Sequence, residues 1–344
     1  MITLYTSADG VRREVVDKEA MEQACIQENR TRFSQARNTP FLQKPLLDSV
    51  GLFAEKQGAE EILAGTFDCE GIDEMTEQFI AQLKQPEQAY TDPLLGTFSK
   101  ADHIKGWKRA KTQTVSESTG LSFSHFKAGI DDEDLCQFDY QLREIPFRVG
   151  FSPASWKSIT DFQIYKKPGV FDVEEMRTIT LYSADFNMNN KWLGQQIMNQ
   201  AEKHNLLAVE QYGSRKHHRS AHVALNQRLF TDLCRQRRQA ASIVSVDAKS
   251  CYDRIVHSVA SLCVRRLVIP KGPMDCMFTT LQDGMHHTMT AFGKSTLTYK
   301  SNTATPLQGV GQGNGAGPSI WSVINSPIIE MIRNCGGGSV FGQH

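Results

Sequence analysis

The chain has 344 residues, 40% of them hydrophobic, and its 38 basic residues balance 38 acidic ones. That is apolar material for a sizeable core, in two or three domains or one large domain with subdomains. No run approaches the roughly 20 apolar residues that span a bilayer, and MITLYTSADG at the N-terminus carries neither a basic region nor an apolar run, so membrane and secreted classes are disfavoured. The cancelled charge gives no global basic face for a nucleic acid, so any such footprint must be local. Eight cysteines, at positions 25, 69, 136, 234, 251, 263, 276 and 335, form no CxxC pair. Neither a zinc ribbon nor a thioredoxin-like site is suggested, and reduced thiols are the default.

Good helix formers over 18–36 predict a helix that Pro40 and Pro45 end. Asp73 can cap a second helix over 74–84, where Met75, Phe79, Ile80 and Leu83 make one apolar stripe. Between 99 and 117, Lys100, Lys105, Lys108, Arg109 and Lys111 surround Trp107. This reads first as a solvated helix face, with a nucleic-acid contact as the alternative. The acidic run 131–134 reads as a helix start or a solvated turn.

Strands are expected at 159–165 and 177–183, with Ile179 and Leu181 alternating against Thr178, Thr180 and Tyr182. Lys166, Lys167 and Arg177 flank this pair. It is a candidate hairpin for an anionic ligand, or a hairpin with ordinary surface cations. A helix follows over 189–206. The most basic local stretch is QYGSRKHHR, 211–219, before a long helix from Ser220 to about Ala240 with Leu225, Leu229 and Leu233 on one face. His218 and His222 stand four apart, but no HExxH arrangement or third ligand accompanies them, so zinc is set aside.

The stretch ASIVSVDAKSCYD, 241–253, reads as a short buried strand ending in Asp247. A carboxylate there is costly unless it is paired, hydrogen-bonded or bound to a cation. The residues alone leave open a cap or turn residue and a metal ligand. Helices are expected over 254–267, with Val256, Val259, Cys263 and Leu267 inward, and over 274–285, separated by a sharp turn at 270–273. Two short strands follow around Gly293–Lys294. Five glycines between 309 and 317 permit close backbone approach, and a helix over 319–333 holds Pro327 as a kink. Neither GxxxxGK[ST] nor a dinucleotide fingerprint is present. The end, CGGGSVFGQH, reads as the start of something cut off.

Taken in order, several of these features resemble the reverse transcriptase domain of non-LTR-type retroelements, over roughly 114–344. SESTGLSFSHFK at 116–127 is similar to the family's lead-in block. Pro153–Trp156, Ile164–Lys167 and Arg177–Leu181 resemble its fingers strands, and QYGSRKHHRS at 211–220 its element before a long helix. DAKSCYD at 247–253 resembles DxxxAFD, and GVGQG at 309–313 with Gly317 and Pro318 resembles GxxQGxxxSP.

The resemblance implies an α+β right-hand polymerase. It divides the chain into a mainly helical N-terminal region (1–113), a fingers-like subdomain (114–240) and a partial palm (241–344). It implies RNA-directed DNA synthesis, with an RNA template, a DNA primer, dNTPs and two Mg²⁺ ions, and with no membrane partner. Asp247 would be the first metal-binding carboxylate and the Ala248 carbonyl would help hold the nucleotide-side metal. Tyr252 would lie against the sugar. Arg177 would stack over the incoming base and touch the triphosphate, assisted by Lys166 or Lys167. Gln312 and Gly313 would line the template–nucleotide pocket. Hard oxygen ligands on rigid strands suit two Mg²⁺ ions, and the guanidinium fork suits phosphate.

One departure carries weight. The family's second palm hairpin bears two adjacent aspartates, whereas no aspartate follows Asp283 here and Glu330 is the only later acid. The expectation is therefore a truncated or decayed reverse transcriptase, inactive as this chain alone. The alternatives are a non-enzymatic nucleic-acid-binding remnant and an unrelated helical scaffold in which Asp247 faces solvent far from Arg177 and Gln312. The compartment is not fixed; an intracellular one, the nucleus included, is expected.

Overall fold

Four helices start at a side-chain cap that the sequence offers, Asp17, Asp73, Ser99 and Asp132 in turn. In the computed structural model, which describes residues 3–6, 11–87, 96–117, 121–302 and 304–334, Asp17 accepts from the Ala20 amide at 2.9 Å and opens α1 (Lys18–Phe33). Ahead of it lies a small antiparallel hairpin, β1 (Thr3–Thr6) with β2 (Arg12–Val15). Short helices α2 (Leu46–Val50), α3 (Gln57–Ala64) and α4 (Glu74–Ala81) come next, the last capped by Asp73 as expected. Its stripe is narrower than expected: Ile80 and Leu83 are buried, while Met75 is 60% exposed. A capping box at Ser99 and Asp102 starts α5 (Lys100–Arg109). α6 (Phe123–Gly129) follows. The acidic run then opens α7 (Glu133–Val149) with Asp132 as its cap. Residues 118–120 of the lead-in block and the 335–344 end lie outside the described residues.

The expected hairpin forms as β3 (Ser158–Tyr165) antiparallel to β4 (Met176–Leu181). α8 (Ala184–Lys203) and α9 (Ser220–Arg237) follow, then α10 (His257–Arg265) and α11 (Lys271–Asp283). The expected turn at 270–273 is the first turn of α11 instead. Pro273 loses nothing there, because first-turn amides have no helical acceptor. β5 (Met285–Thr290) and β6 (Gly293–Tyr299) form a second hairpin, and α12 (Gly317–Asn334) closes the described chain with Pro327 inside it. β5 joins β3 in parallel, giving one mixed sheet in the order β4-β3-β5-β6. The main core runs from Ala36 to Ile324 and includes Phe147, Trp156, Ile159, Leu193, Phe278 and Ile320. Each such aliphatic or aromatic side chain contributes roughly 1.5–3 kcal/mol on burial. Among the described residues, no helix is long and apolar enough to cross a membrane.

Three expectations change on contact with the tertiary structure. On β4 the inward residues are Met176, Thr178 and Thr180, whereas Ile179 and Leu181 are half-buried. Thr178 faces a polar layer beneath α1, where it donates to Asn29 at 2.9 Å and accepts from Arg32 at 2.9 Å, while Thr180 lies against the glycine loop. The leucine stripe of α9 has no cover: Leu225, Leu229 and Leu233 are 55%, 57% and 43% exposed, and the helix buries no residue.

The third change is the largest. Residues 241–248 are neither paired nor buried, with Val244 at 83% and Val246 at 86% exposure. Strand propensity supplies no neighbour, and both edges of the sheet are already taken. At one edge, Ile179 of β4 bridges Gln312 in parallel, with the Thr180 amide donating to the Gln312 carbonyl at 2.9 Å. At the other, the buried Glu22 carboxylate of α1 accepts from the Thr296 and Leu297 amides of β6 at 3.2 and 3.4 Å. A segment without a partner strand keeps its amides and carbonyls in water.

Candidate functional site

The glycine loop before α12 is seated between β4 and the turn at 251–254. Gly309 donates to the Ile255 carbonyl at 2.8 Å and Val310 to the Tyr252 carbonyl at 2.9 Å. Tyr182, following β4, donates from its hydroxyl to the Val310 carbonyl at 3.1 Å. Asn187 of α8 holds the far end, donating to the Gly313 carbonyl at 2.9 Å and accepting from the Gly315 amide at 2.7 Å. Two glycines make this seating possible. Gly309 has φ +92°, and a Cβ there would meet the Asp253 backbone at 2.8 Å; at Gly313, φ +143°, it would meet the Thr180 carbonyl at 2.3 Å.

His257 locks the start of the loop. Its backbone amide donates to the Gln308 side chain at 2.7 Å, and its Nε2 lies 2.6 Å from the Gly309 carbonyl. A carbonyl only accepts, so Nε2 carries the proton and Nδ1 accepts from the Gln282 amide at 2.8 Å. Burial pushes this imidazole down to about 4, which keeps it neutral.

Asp253 lies under the loop, 1% exposed, and neither carboxylate oxygen has a full hydrogen-bond partner. Burial pushes its carboxyl up to about 6. Arg32, the Gln312 amide and Lys166 pull it back, and the nearby Asp161 carboxylate adds to the rise. Asp161, in the middle of β3, is fully buried; its Oδ2 accepts from the Tyr299 hydroxyl at 2.5 Å and stands 2.8 Å from Nδ1 of His286, while its Oδ1 is unpartnered. Arg32 of α1 binds the Met176 carbonyl at 3.0 Å and Glu28 at 3.0 Å, besides Thr178, and so ties α1 to β4. The sequence reading missed Asp161 and Arg32. Asp161 had a signal, a carboxylate inside the strand SITDFQIY. Arg32 showed only a local pairing with Glu28, because its β4 partners lie more than 140 residues away.

Tyr252, Gln312 and Gly313 come together around this loop: Tyr252 is half-buried with its ring against Gly317, Gln312 is half-buried and Gly313 exposed. Lys166 and Lys167 are exposed beyond the end of β3. Arg177 is exposed on β4 opposite Ile164. Strand alternation puts its side chain on the sheet face away from Thr178 and Asp253. Asp247 and Ala248 lie on the exposed segment. Solvent-facing Asp247 is what the scaffold alternative expects; the glycine loop meets β4 and the Tyr252–Asp253 turn, while Asp247 stays on its exposed, unpaired segment.

Among the described residues, no three His, Cys, Asp or Glu side chains stand where they could hold one metal ion. Two Mg²⁺ ions need several converging oxygen ligands. Asp247 lies exposed on its unpaired segment, and the Arg32 guanidinium already acts on the buried Asp253 carboxylate. These side chains do not fit a two-ion site.

The sequence model of one family, described as reverse transcriptase (RNA-dependent DNA polymerase), matches residues 164–341, just over half of the chain. The chain belongs to this family. The reverse transcriptase match begins at the end of β3 and takes in β4 through α12; it leaves out α1 and α5, which pack against it. Comparison with curated proteins gives no match.

Proposed function

We propose that these 344 residues are part of a retroelement reverse transcriptase of the non-LTR type, and that by themselves they bind nucleic acid and nucleotide without synthesis. The observation that carries this reading is the seating of the Gly309–Gly313 loop on the edge of β4 beside the Tyr252–Asp253 turn. Two family motifs far apart in sequence thereby meet at one exposed rim. In this reading, residues 114–240 serve as fingers and 241–344 as a partial palm. Gln312 and Gly313 present backbone and amide groups to a template–nucleotide pair. Tyr252 offers a ring to the sugar, and Arg177 with Lys166 or Lys167 offers fixed and mobile cations to phosphate. Asp247 and Ala248 occupy the motif positions that hold metal in the family. Among the described residues the side chains do not assemble a site for Mg²⁺.

Fluorescence anisotropy with a labelled RNA–DNA hybrid, with and without dNTP, tests the proposal. Addition of the templated dNTP is expected to tighten the complex, and Arg177→Ala to remove about tenfold of that gain, as loss of a charge-assisted phosphate contact implies. A dNTP response that is absent, or unchanged in Arg177→Ala and Gln312→Ala, would count against it.

A further inference from the structure

Helix α7 presents apolar side chains on two faces. One face is used inside the protein: Cys136, Pro146 and Phe147 are buried, and the helix packs against α11 with α5, α6 and α8 beside it. The other face has no cover among the described residues. Leu135, Phe138, Leu142, Ile145 and Val149 are between 39% and 63% exposed. Their spacing alternates three and four residues from the first turn to the last, which lines them up as one narrow seam of the kind that pairs helices. The leucines of α9 are exposed on a helix that buries nothing, whereas α7 is already anchored, so its seam is a second face held in a fixed place. A continuous apolar strip of this kind, rimmed by charged residues, marks an interaction surface.

We propose that this seam joins two copies of the chain, α7 against α7, antiparallel about a twofold axis. The charges beside the seam select that arrangement. Asp134, Gln141 and Arg148 stand along one flank, one per heptad. Antiparallel pairing, with Leu135 against Ile145 and Phe138 against Leu142 of the second copy, sets Asp134 of each copy against Arg148 of the other and Gln141 against itself on the axis. Parallel pairing sets Asp134 against Asp139 on the other flank, like charge against like. Both members of the antiparallel pair have capacity left. Arg148 holds Glu144 one turn back through Nε at 2.9 Å, which leaves its Nη donors for a second carboxylate. Lys100 lies near Asp134, but its ion pair is with Glu133 at 2.5 Å. The axis also brings the two Asp139 side chains toward each other. Each is compensated inside its own chain, 3.4 Å from Nε2 of His103 and beside the Arg143 guanidinium. The apolar layers supply the affinity, and the flanking charges choose the orientation. A seam of five side chains is small, so the dimer is a weak one, formed at micromolar concentrations.

The test is sedimentation velocity of the full chain at low salt through a micromolar concentration series, with the melting temperature of each variant checking its fold. The parent is expected to pass from monomer to dimer across the series. Phe138→Asp/Leu142→Asp is expected to stay monomeric, and Leu225→Asp/Leu229→Asp on α9 to dimerise as the parent does. Asp134→Arg and Arg148→Asp are each expected to weaken the dimer about tenfold, because both attractive pairs become repulsive. An equimolar mixture of those two variants is expected to recover the parental affinity to within about threefold, since every pair in the mixed dimer is attractive again. A parent that stays monomeric, whether or not it then binds lipid vesicles, would overturn the proposal. So would a dimer that survives Phe138→Asp/Leu142→Asp, one that is lost in the α9 variant, or single-charge variants that fail to rescue each other. None of these outcomes depends on nucleic-acid binding.

Discussion

Asp253 shows how one side chain reports on its surroundings. Its folded carboxyl stands near 6 against an ordinary 3.8, chiefly through burial. A carboxyl raised on folding favours the folded state in its protonated form, so that stability is fully present below about 3.8 and lost as pH rises through about 6. Neutral His257, lowered to about 4, works in the opposite sense, losing stability as pH falls from 6.5 through 4. The two offset each other in the native chain, and subtraction separates them. Asp253→Asn is expected to match the parent near pH 4 and to exceed it above pH 6.5, by up to about 3 kcal/mol, as read from thermal or urea unfolding at each pH. A stability difference that does not vary with pH would show that Asp253 is not buried as described. The sequence marks Asp253 only as the closing acid of the DAKSCYD motif. Its burial depends on the loop 56 to 60 residues later, which local pattern does not show.

At the scale of elements, local pattern reads well where the neighbours are also local. The β3–β4 hairpin, α1, α10 and the β5–β6 hairpin lie near their expected positions, because turn residues and alternation suffice for each. It reads badly where burial is decided from afar. The stripe of α9 looks like a core face, yet nothing covers it. The 241–247 run looks like a buried strand, yet both sheet edges are occupied by the Gln312 segment and by Glu22. The alternation along β4 does not say which face is buried; α1 decides it by bringing Asn29 and Arg32 to Thr178. A comparison of leucines tests this difference. Leu193→Ala on α8, where the side chain is 1% exposed, is expected to cost about 2–5 kcal/mol, while Leu229→Ala on α9 is expected to stay within about 0.5 kcal/mol. Chemical denaturation with an unchanged m-value measures both. Equal costs would mean that α9 is packed in solution.

Over the whole molecule, the sheet is held by segments that sequence reading placed in different regions. α1, read as part of a helical prelude, covers one sheet face, seals the β6 edge through Glu22 and clamps β4 through Arg32. The loop before α12 seals the opposite edge. The family motifs were legible because their order survives in the sequence; their meeting at one rim was not, since it depends on α1, α8 and α12 packing across more than a hundred residues. Asp247 stays on an exposed, unpaired segment, and the sequence has no aspartate after Asp283. The proposed function therefore separates recognition from catalysis in this chain. The most direct measurement is a primer-extension assay with an RNA template, a labelled DNA primer, dNTPs and Mg²⁺, each reaction run on both a native and a denaturing gel. The expected result is a shifted complex on the native gel and a primer of unchanged length on the denaturing gel. A Mg²⁺-dependent ladder of longer primers, or no complex at all, would contradict the claim that these residues recognise template, primer and nucleotide without joining them.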